Sequence, residues 1–436
     1  MKVKNYKNGA TLIYRHFQRK HTSVSAGFIF GDNRDKYPEP TAHFCEHMFF
    51  KESKKMTQFQ LVKKRNKIFS LKNGRTGFKF TCIDFCRSNK ILEPCFDFSS
   101  EVLLNTHFLK KHVESEKGVI KQELTKRLND PLRKLEYATY RTIRDHLNSD
   151  YSILGSFEEI DKMDVETLKK FHNECFISQN FFICISGGIS YFRAKKLAEK
   201  YFIKRLKSNP KKKSEKTIEI KNNKPGNMNI EYFPLEKSWC NISIKVESEL
   251  ETTKSQTIID LLTKVSNSTV GLIGLTLRNS GLVYKADIVG GQIRKNNSFL
   301  SLNFECSSEN VNKIIDVLSS KLCDFANSQI TQELIEEQKN KRKYEKDEEI
   351  QKNIYPNKDY FLYFQNNGNL LTKKYEKEYN KEFNSLTSND IQEFIKTILS
   401  KPENLYVTIL SNKGPENFYT YEQMQKKLMC PKLKTK

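Results

Sequence analysis

The sequence Thr41-Ala42-His43-Phe44-Cys45-Glu46-His47-Met48-Phe49-Phe50-Lys51 brings two histidines and a glutamate close together. On an α-helix, positions four apart lie only about 40° from each other around the axis, so His43 and His47 point the same way. Glu46 lies about 60° from His43 and within reach of whatever the two imidazoles hold. Neutral imidazoles are good zinc ligands. The segment therefore predicts a metal-binding helix.

The order His-x-x-Glu-His inverts the commoner His-Glu-x-x-His and is typical of the inverzincin class of zinc peptidases. Zinc brings the pKa of its bound water to about 7, and Glu46 can accept the proton of that water. The alternative is a chance run on an amphipathic helix with histidines facing solvent. With 8 histidines in 436 residues, such a coincidence is expected on the order of once in a hundred chains. A catalytic zinc site still needs a third protein ligand.

Candidates for the third ligand lie in residues 112–128, which have the apolar period of a helix and end at Asn129-Asp130-Pro131. Within this segment Glu116 and Glu123 are seven positions apart, about 700° of rotation, and so share one helix face to within about 20°. Two carboxylates on one face can approach a metal from a second helix. Exposed glutamates are common on helices, so a solvated face is the alternative explanation of this pair.

Together these segments resemble the pitrilysin and insulinase family of metallopeptidases (peptidase family M16), which includes the mitochondrial processing peptidases. Residues 41–51 are similar to the zinc helix of the family. Residues 116–123, Glu-Lys-Gly-Val-Ile-Lys-Gln-Glu, are similar to its Glu-x-x-Val-Ile-x-x-Glu segment, and Glu123 lies 76 positions after His47. The likeness extends over residues 4–414, including Gly31-Asp32-Asn33-Arg34-Asp35 and residues 154–160.

The resemblance implies one zinc ion per chain, with three protein ligands and a general base. The implied ligands are His43, His47 and Glu123, the implied base is Glu46, and Glu116 corresponds to a second acidic residue beside the site. Asn73-Gly74-Arg75-Thr76 stands where the family has the substrate-edge sequence Asn-Ala-x-Thr, which implies that Asn73 contacts substrate. Glycine at the second position is expected to weaken a strand that pairs with the peptide.

No second His-x-x-Glu-His follows residue 210, so only the first half of the chain is expected to bind metal. Arg278-Asn279-Ser280-Gly281-Leu282-Val283-Tyr284 resembles the family segment whose Arg and Tyr stabilise the oxyanion, which implies catalytic roles for Arg278 and Tyr284. The alternative is an ordinary helix end with Gly281 as the stop signal. The chain resembles the short family members that dimerise, so these two residues are expected to serve the zinc site of a partner chain.

The order of predicted strands and helices in residues 229–436 repeats that of residues 1–206, with a polar linker at 207–228. We therefore expect an α+β fold of two duplicated α/β-sandwich domains. Each domain is expected to have a mostly antiparallel sheet with helices on one side, and the two to form half of a clamshell. The first would be the zinc-binding catalytic domain and the second a non-catalytic repeat that contributes to the substrate chamber.

The formal charge of +23 is spread along a chain rich in Lys and Asn, and no nucleic-acid-binding motif accompanies it. We expect no nucleic-acid partner. The ten cysteines include no Cys-x-x-Cys pair, no long apolar segment occurs, and we expect no leader. These features favour a cytoplasmic location without a membrane partner.

Three functions are compatible with these features. The leading one is an endopeptidase that hydrolyses unfolded peptides inside a closed chamber, working as a homodimer or with a related chain. The second is a catalytically silent scaffold or partner subunit of the same fold. Silent relatives typically lose a zinc ligand or the base, and this chain keeps all four. The third, nucleic-acid binding, rests on charge alone.

Overall fold

The computed structural model divides the chain into two compact units. Unit 1 comprises residues 1–126, 152–219 and 348–371, and unit 2 comprises residues 127–151, 220–347 and 372–436. The structure describes residues 1–30, 36–68, 71–77, 80–143, 153–209, 225–246, 252–267, 272–284, 286–294, 297–327, 330–352 and 373–430. Each unit contains one β-sheet and packed helices. The predicted α+β fold with two domains is confirmed.

The elements are numbered in chain order. The strands are β1 (Lys2–Asn5), β2 (Thr11–His16), β3 (His21–Ile29), β4 (Leu71–Thr76), β5 (Phe80–Ser88), β6 (Phe181–Gly187), β7 (Asn227–Tyr232), β8 (Lys237–Val246), β9 (Ala286–Arg294), β10 (Asn297–Ser307) and β11 (Leu405–Ser411). The helices are α1 (Thr41–Met48), α2 (Gln58–Ile68), α3 (Glu93–Leu104), α4 (Lys110–Leu128), α5 (Pro131–Ile143), α6 (Phe157–Lys162), α7 (Val165–Cys175), α8 (Tyr191–Ala198), α9 (Thr252–Ser266), α10 (Leu272–Asn279), α11 (Val311–Asn327), α12 (Gln332–Lys352), α13 (Lys373–Ser385), α14 (Ser388–Leu399) and α15 (Tyr421–Leu428).

The sheet of unit 1 has the order β1-β2-β6-β3-β5-β4. Strands β2 and β6 are parallel, and every other neighbouring pair is antiparallel. The central strand β6 is buried along its whole length, as its apolar sequence Phe-Phe-Ile-Cys-Ile predicts. Strand β4 is at the edge and pairs with β5 in the register Gly74↔Ile83. Its outer edge is therefore placed where an extended chain can add to the sheet.

The sheet of unit 2 has the order β7-β11-β8-β10-β9. The last five strands of the first sheet, β2-β6-β3-β5-β4, follow the same order. The single parallel pair of the second sheet, β7 with β11, occupies the place of β2 with β6. Such agreement in strand order, direction and sequence order is the signature of an internal duplication. The topology thus supports the predicted duplication where residue identity does not.

Helix α5 differs from the prediction, because it belongs to unit 2 although it precedes the expected boundary at residue 206. Its apolar face packs on the second sheet in two clusters, Leu135 and Ala138 with Phe233, Trp239 and Leu410, and Ile143 with Phe299 and Tyr406. Arg141 adds an ion pair with Glu231, at 2.6 Å from Nη2 to Oε1. The opposite face of this sheet packs on the main core of unit 2. The helices of unit 2 therefore lie on both sides of its sheet, not on one.

Within residues 252–279 the structure describes two helices, α9 and α10, with residues 268–271 outside the described part of the chain. One further expectation differs in detail. The expected linker at 207–228 overlaps the start of β7 at Asn227, and residues 210–224 of it lie outside the described residues. The segment Gly31-Asp32-Asn33-Arg34-Asp35 also lies outside them.

Candidate metal centre

Helix α1 carries the histidine pair, and the residues on its other faces are buried against the rest of unit 1. Ala42, Phe44, Cys45 and Met48 are at most 2% exposed, and Cys45 lies against α7, with its Sγ 3.9 Å from the carbonyl oxygen of Leu168. Burial raises the pKa of the Cys45 thiol well above its usual value. Cys45 is therefore a small apolar packing group. Because these faces are fixed, the directions of the two histidines are fixed as well.

The side chains of His43, His47 and Glu123 converge, with one potential ligand atom from each lying within 4.8 Å of the other two. The Oε2 atom of Glu123 is 3.8 Å from Nε2 of His43 and 3.6 Å from Nε2 of His47. Ligands of a tetrahedral zinc ion at about 2.1 Å are roughly 3.4 Å apart. The three atoms therefore fit a zinc ion closely, and two nitrogens with one oxygen form a donor set typical of catalytic zinc.

Helix α4 presents both predicted glutamates to α1. It is anchored by Val113, Ile120 and Leu124, which are at most 2% exposed and recur at helical spacing. Glu116 is 5% and Glu123 31% exposed, as fractions of the side chain. The seven-residue separation does place both carboxylates on the face toward the histidines. The solvated-face alternative fails for this pair.

Glu116 contacts the far side of His47. Nδ1 of His47 donates to Oε1 of Glu116 at 2.8 Å, and the other oxygen of Glu116 pairs with Lys51. Burial acts to raise the pKa of Glu116, but the hydrogen bonds from His47 and Lys51 outweigh it and the pKa is lowered. In the neutral form of His47, an ionised acceptor at Nδ1 keeps the ring hydrogen there and leaves Nε2, which faces Glu123, as the ligand nitrogen. Carboxylates placed in this way fix the tautomer and orientation of zinc-binding histidines.

The same carboxylates affect protonation of His47 in the metal-free protein. Burial acts to lower the pKa of His47. Hydrogen bonds with Glu116 and Glu123 and the nearby charge of Glu46 outweigh burial, and the pKa is raised from 6.5 to about 9. Zinc accepts only the neutral imidazole. Near neutral pH a bound zinc ion must therefore displace a proton from His47.

Glu46 lies beside the three ligand atoms. Its Oε2 atom is 4.0 Å from Nε2 of His43, and its side chain is 13% exposed. The hydroxyl of Thr76 on β4 donates to the same oxygen at 3.2 Å. The second residue of β4 in contact with Glu46 is Gly74: a Cβ atom built there would lie only 2.9 Å from Cδ and 3.0 Å from Cγ. Glu46 therefore lies between the metal-ligand atoms and the edge strand.

Asn73, the expected substrate contact, lies in β4 opposite Asp84 of β5. Its side chain is outside the described part of the structure, so its substrate contact stays a prediction. Next to it, Nε of Arg75 donates to Oδ2 of Asp84 at 2.7 Å, and Ser25 donates to the same carboxylate. This buried ion pair attaches the edge strand to the rest of the sheet.

Two sequence-family descriptions match the chain. "Insulinase (Peptidase family M16)" matches residues 33–149, which contain the candidate zinc ligands, and "Peptidase M16 inactive domain" matches residues 162–342. The chain belongs to peptidase family M16. The candidate metal centre thus lies in the part of the chain that matches the peptidase description. Within unit 2, most of the matched residues belong to the match with the inactive-domain description.

Among curated relatives, the chain is 28% identical over 170 residues to the mitochondrial-processing peptidase subunit beta of Caenorhabditis elegans, which covers 37% of this chain and 35% of that protein. It is 24% identical over 207 residues to an uncharacterized zinc protease of Rickettsia bellii, covering 46% and 49%. The matches thus span half or less of the length of these relatives. Among solved structures, a protease from Helicobacter pylori has a TM-score of 0.78 at 17% identity, covering 94% and 98% of the two chains. This likeness shows that the two chains share one fold.

The two residues expected to stabilise an oxyanion both lie in unit 2. Arg278 is near the end of α10, and its guanidinium carbon is 5.7 Å from the centre of the Tyr284 ring. Tyr284 is 78% exposed. Between them Gly281 has a φ of +73° and its N–H bonds the carbonyl of Arg278 at 3.0 Å, which is the local geometry of a glycine helix stop. Both side chains are thus presented outward, and their catalytic roles stay predictions.

The sequence alone does not predict the contact of Lys51 with Glu116 or those of Gly74 and Thr76 with Glu46. Lys51 follows His47 by four positions, a spacing that places two residues on one side of a helix, although α1 itself ends at Met48. The contacts of Gly74 and Thr76 join β4 to α1, and only the fold brings these segments together.

Proposed function

We propose that the chain is a zinc-dependent endopeptidase. The observation that carries the proposal is the convergence of His43, His47 and Glu123 at distances suited to one zinc ion, with Glu46 beside them. The name of the Rickettsia relative, a zinc protease, supports the choice of metal. One zinc ion per chain is expected because the described part of the structure contains one such ligand group.

Zinc in this site would supply a Lewis acid that lowers the pKa of water to about 7 and polarises the scissile carbonyl. Glu46 is placed to accept a proton from the attacking water and to deliver it to the leaving amine. Glu116 acts only through His47, whose orientation it fixes. The division of roles follows from position, because Glu46 is on the same side as the ligand atoms and Glu116 is behind His47.

Peptide substrates are proposed to bind by adding a strand to β4. An extended peptide can pair with the backbone of an edge strand, and this requires the substrate segment to be unfolded. Because Gly74 and Thr76 of the same strand contact Glu46, a peptide paired there would pass close to the base. Asn73 is the proposed side-chain contact for the substrate.

The active assembly is proposed to be a dimer that encloses a chamber, with this chain paired to a copy of itself or to a related chain. The relative from Caenorhabditis elegans is named as a subunit, which supports a partner. Arg278 and Tyr284 would act on the partner's zinc site. Mixing Glu46→Gln chains with Tyr284→Phe chains tests this, since a mixed dimer regains one complete site and activity recovers. Activity that stays as low as in either variant alone would contradict action between chains.

Two properties of the surroundings are proposed with this function. The excess of positive charge would favour acidic stretches in substrates, and a peptide series that varies only in acidic content measures that preference.

A cytoplasmic location is supported by nine cysteines that the structure describes as free, eight of them buried, and cell fractionation checks it. Among the described helices, none is both long enough and apolar enough to cross a membrane.

The experiment that tests the function is Glu46→Gln, assayed for zinc content and peptide cleavage. The variant is expected to keep its zinc and to lose activity by about 10² to 10⁴-fold, the usual contribution of a general base. Glu114→Gln is the matched control, because Glu114 is exposed on α4 and its side chain accepts a hydrogen bond from Lys117. Full cleavage by the Glu46 variant would refute the assigned mechanism.

The alternative function is a silent scaffold or partner subunit. It is favoured by the inactive-domain description that matches residues 162–342. It is disfavoured by the complete set of ligands and base in unit 1. A wild-type chain that binds a partner but neither holds zinc nor cleaves peptides would establish it.

A further inference from the structure

The edge strand β4 contacts Glu46 at two positions that face the same side of the sheet. Thr76 donates a hydrogen bond to Oε2 at 3.2 Å. At Gly74, two residues earlier, a Cβ atom would lie 2.9 Å from Cδ of Glu46 and closer still to Oε1. Alternate residues of a strand point to the same face. The carboxylate thus occupies the space that any larger residue at position 74 would fill.

The hydrogen bonding around Thr76 has a defined direction. A carboxylate oxygen only accepts, so the hydroxyl hydrogen of Thr76 goes to Glu46. The Thr76 oxygen is also 3.4 Å from the hydroxyl of Thr81, its register partner on β5, which can donate to it. Thr81 is fully buried. The carboxylate is therefore connected to the interior of the sheet through two hydroxyl groups.

We propose that Gly74 and Thr76 are positioning residues that set the location of the Glu46 carboxylate. Thr76 holds Oε2, and the missing side chain at position 74 leaves the space for Oε1. This inference rests on the proposed role of Glu46 as general base. It also gives the glycine a use other than the weakening of the strand expected from sequence. The carboxylate is the far end of a flexible side chain, so an added Cβ at position 74 would displace it with little disturbance of the fold.

The first test needs no enzymatic activity. Thermal unfolding of the metal-free protein is measured for Thr76→Val, Thr76→Ser, Glu46→Ala and the double variant Thr76→Val with Glu46→Ala. Thr76→Val should lower the midpoint by about 2 °C more in the wild-type background than in the Glu46→Ala background, and Thr76→Ser should keep the wild-type value. Equal shifts in both backgrounds would overturn the proposal.

The second test follows the zinc-loaded enzyme. Thr76→Val and Gly74→Ala should lower kcat by about tenfold to a hundredfold, as expected for a misplaced catalytic group, with zinc content and KM unchanged. Thr76→Ser should retain kcat within about twofold. Gly118→Ala is the matched glycine control, because a Cβ atom there meets nothing within 4 Å, and it should cleave at the wild-type rate. A crystal structure of Gly74→Ala should show the Glu46 carboxylate beyond hydrogen-bond distance of Thr76.

The two tests separate this inference from the proposed function. If the wild type cleaves no peptide, the proposed function fails, and the unfolding cycle still decides whether Thr76 holds Glu46. If the wild type is active and Thr76→Val and Gly74→Ala both retain its kcat, the proposed function stands and the positioning role is refuted.

Discussion

Each unit has a glycine on its edge strand that makes room for a side chain of a helix packed against the sheet, and the two glycines receive different groups. In unit 1, Gly74 on β4 faces the carboxylate of Glu46 on α1. In unit 2, Gly290 on β9 faces Ile259 on α9, and a Cβ atom there would also lie 2.8 Å from Oγ1 of Thr263. Edge strands β4 and β9 hold the same place in their sheets. The duplicated fold therefore provides the same space twice, filled by a carboxylate in unit 1 and by an apolar side chain in unit 2.

The surroundings of the two sites differ in the same sense. Ile259 is fully buried within the main apolar core of unit 2, where added volume has no place to go. The carboxylate of Glu46 is at the end of a flexible side chain that is partly exposed. In the described part of the chain, the only group of three potential metal ligands is the one in unit 1. The repeat thus keeps the packing of the fold, while the candidate zinc ligands and the proposed base lie on α1 and α4.

The largest expected effect separates the two glycines directly. Gly290→Ala should lower the free energy of unfolding by about 1–3 kcal/mol, because the new methyl group overpacks the site of Ile259, and peptide cleavage per folded chain should be kept. Gly74→Ala should change the free energy of unfolding by less than about 1 kcal/mol and reduce cleavage. Denaturant unfolding and steady-state kinetics on both variants check this. Loss of cleavage in Gly290→Ala, or loss of stability without loss of cleavage in Gly74→Ala, would contradict this difference between the two spaces.

The next effect concerns the support of the candidate metal ligands, a group that the described part of unit 2 does not contain. Glu116→Gln should reduce zinc affinity by about 10–100-fold, as is usual when the partner of a ligating histidine is lost. The Lys51 ammonium loses its charged partner in the same variant. Competition with a zinc chelator measures the affinity, and the exposed Glu114→Gln serves as control. Unchanged affinity in Glu116→Gln would mean that the hydrogen bond to His47 does not support the ligand.

The last effect is a dependence on pH. The pKa of His47 in the metal-free protein is raised from 6.5 to about 9, so its charged form stabilises the fold fully below pH 6.5. This contribution is lost as the pH rises through 9. Zinc competes with that proton, so its apparent affinity should rise by about tenfold per pH unit toward pH 9. Metal-free protein should become less stable over this window, as followed by thermal unfolding. The stability of zinc-loaded protein should hardly change, because its His47 is neutral in both the folded and the unfolded state. If the stability of the metal-free and the zinc-loaded protein changed equally with pH, the ion pairs of His47 would be contradicted.

Sequence patterns were sufficient to place the candidate metal-site residues of each helix on one face, because that placement depends on local helical geometry alone. The spacing of His43, Glu46 and His47 fixes their relative directions within one turn, and the seven-residue interval fixes Glu116 and Glu123 on one face. The buried strands were also predictable, since a run such as that of β6 has few other uses. The choice of Glu123 as ligand needed more than spacing, and it came from the family resemblance.

Contacts between distant segments were not predictable. The apolar period of α5 shows that Leu135, Ala138 and Ile143 need a partner, but it does not say which sheet supplies one, and the structure selects unit 2. Gly74 appears in the sequence as a weakness of a strand, since nothing nearby in sequence indicates that Glu46 fills its space. Both cases depend on tertiary packing, which local periodicity does not encode.

The central claim is that unit 1 alone holds one zinc ion, between α1 and α4. Zinc per chain should be measured by elemental analysis on the purified wild type, on His47→Ala and on Glu123→Ala, each confirmed to be folded. The account predicts about one zinc per wild-type chain and close to none in either variant. A full zinc content in the variants, or two zinc ions in the wild type, would contradict it.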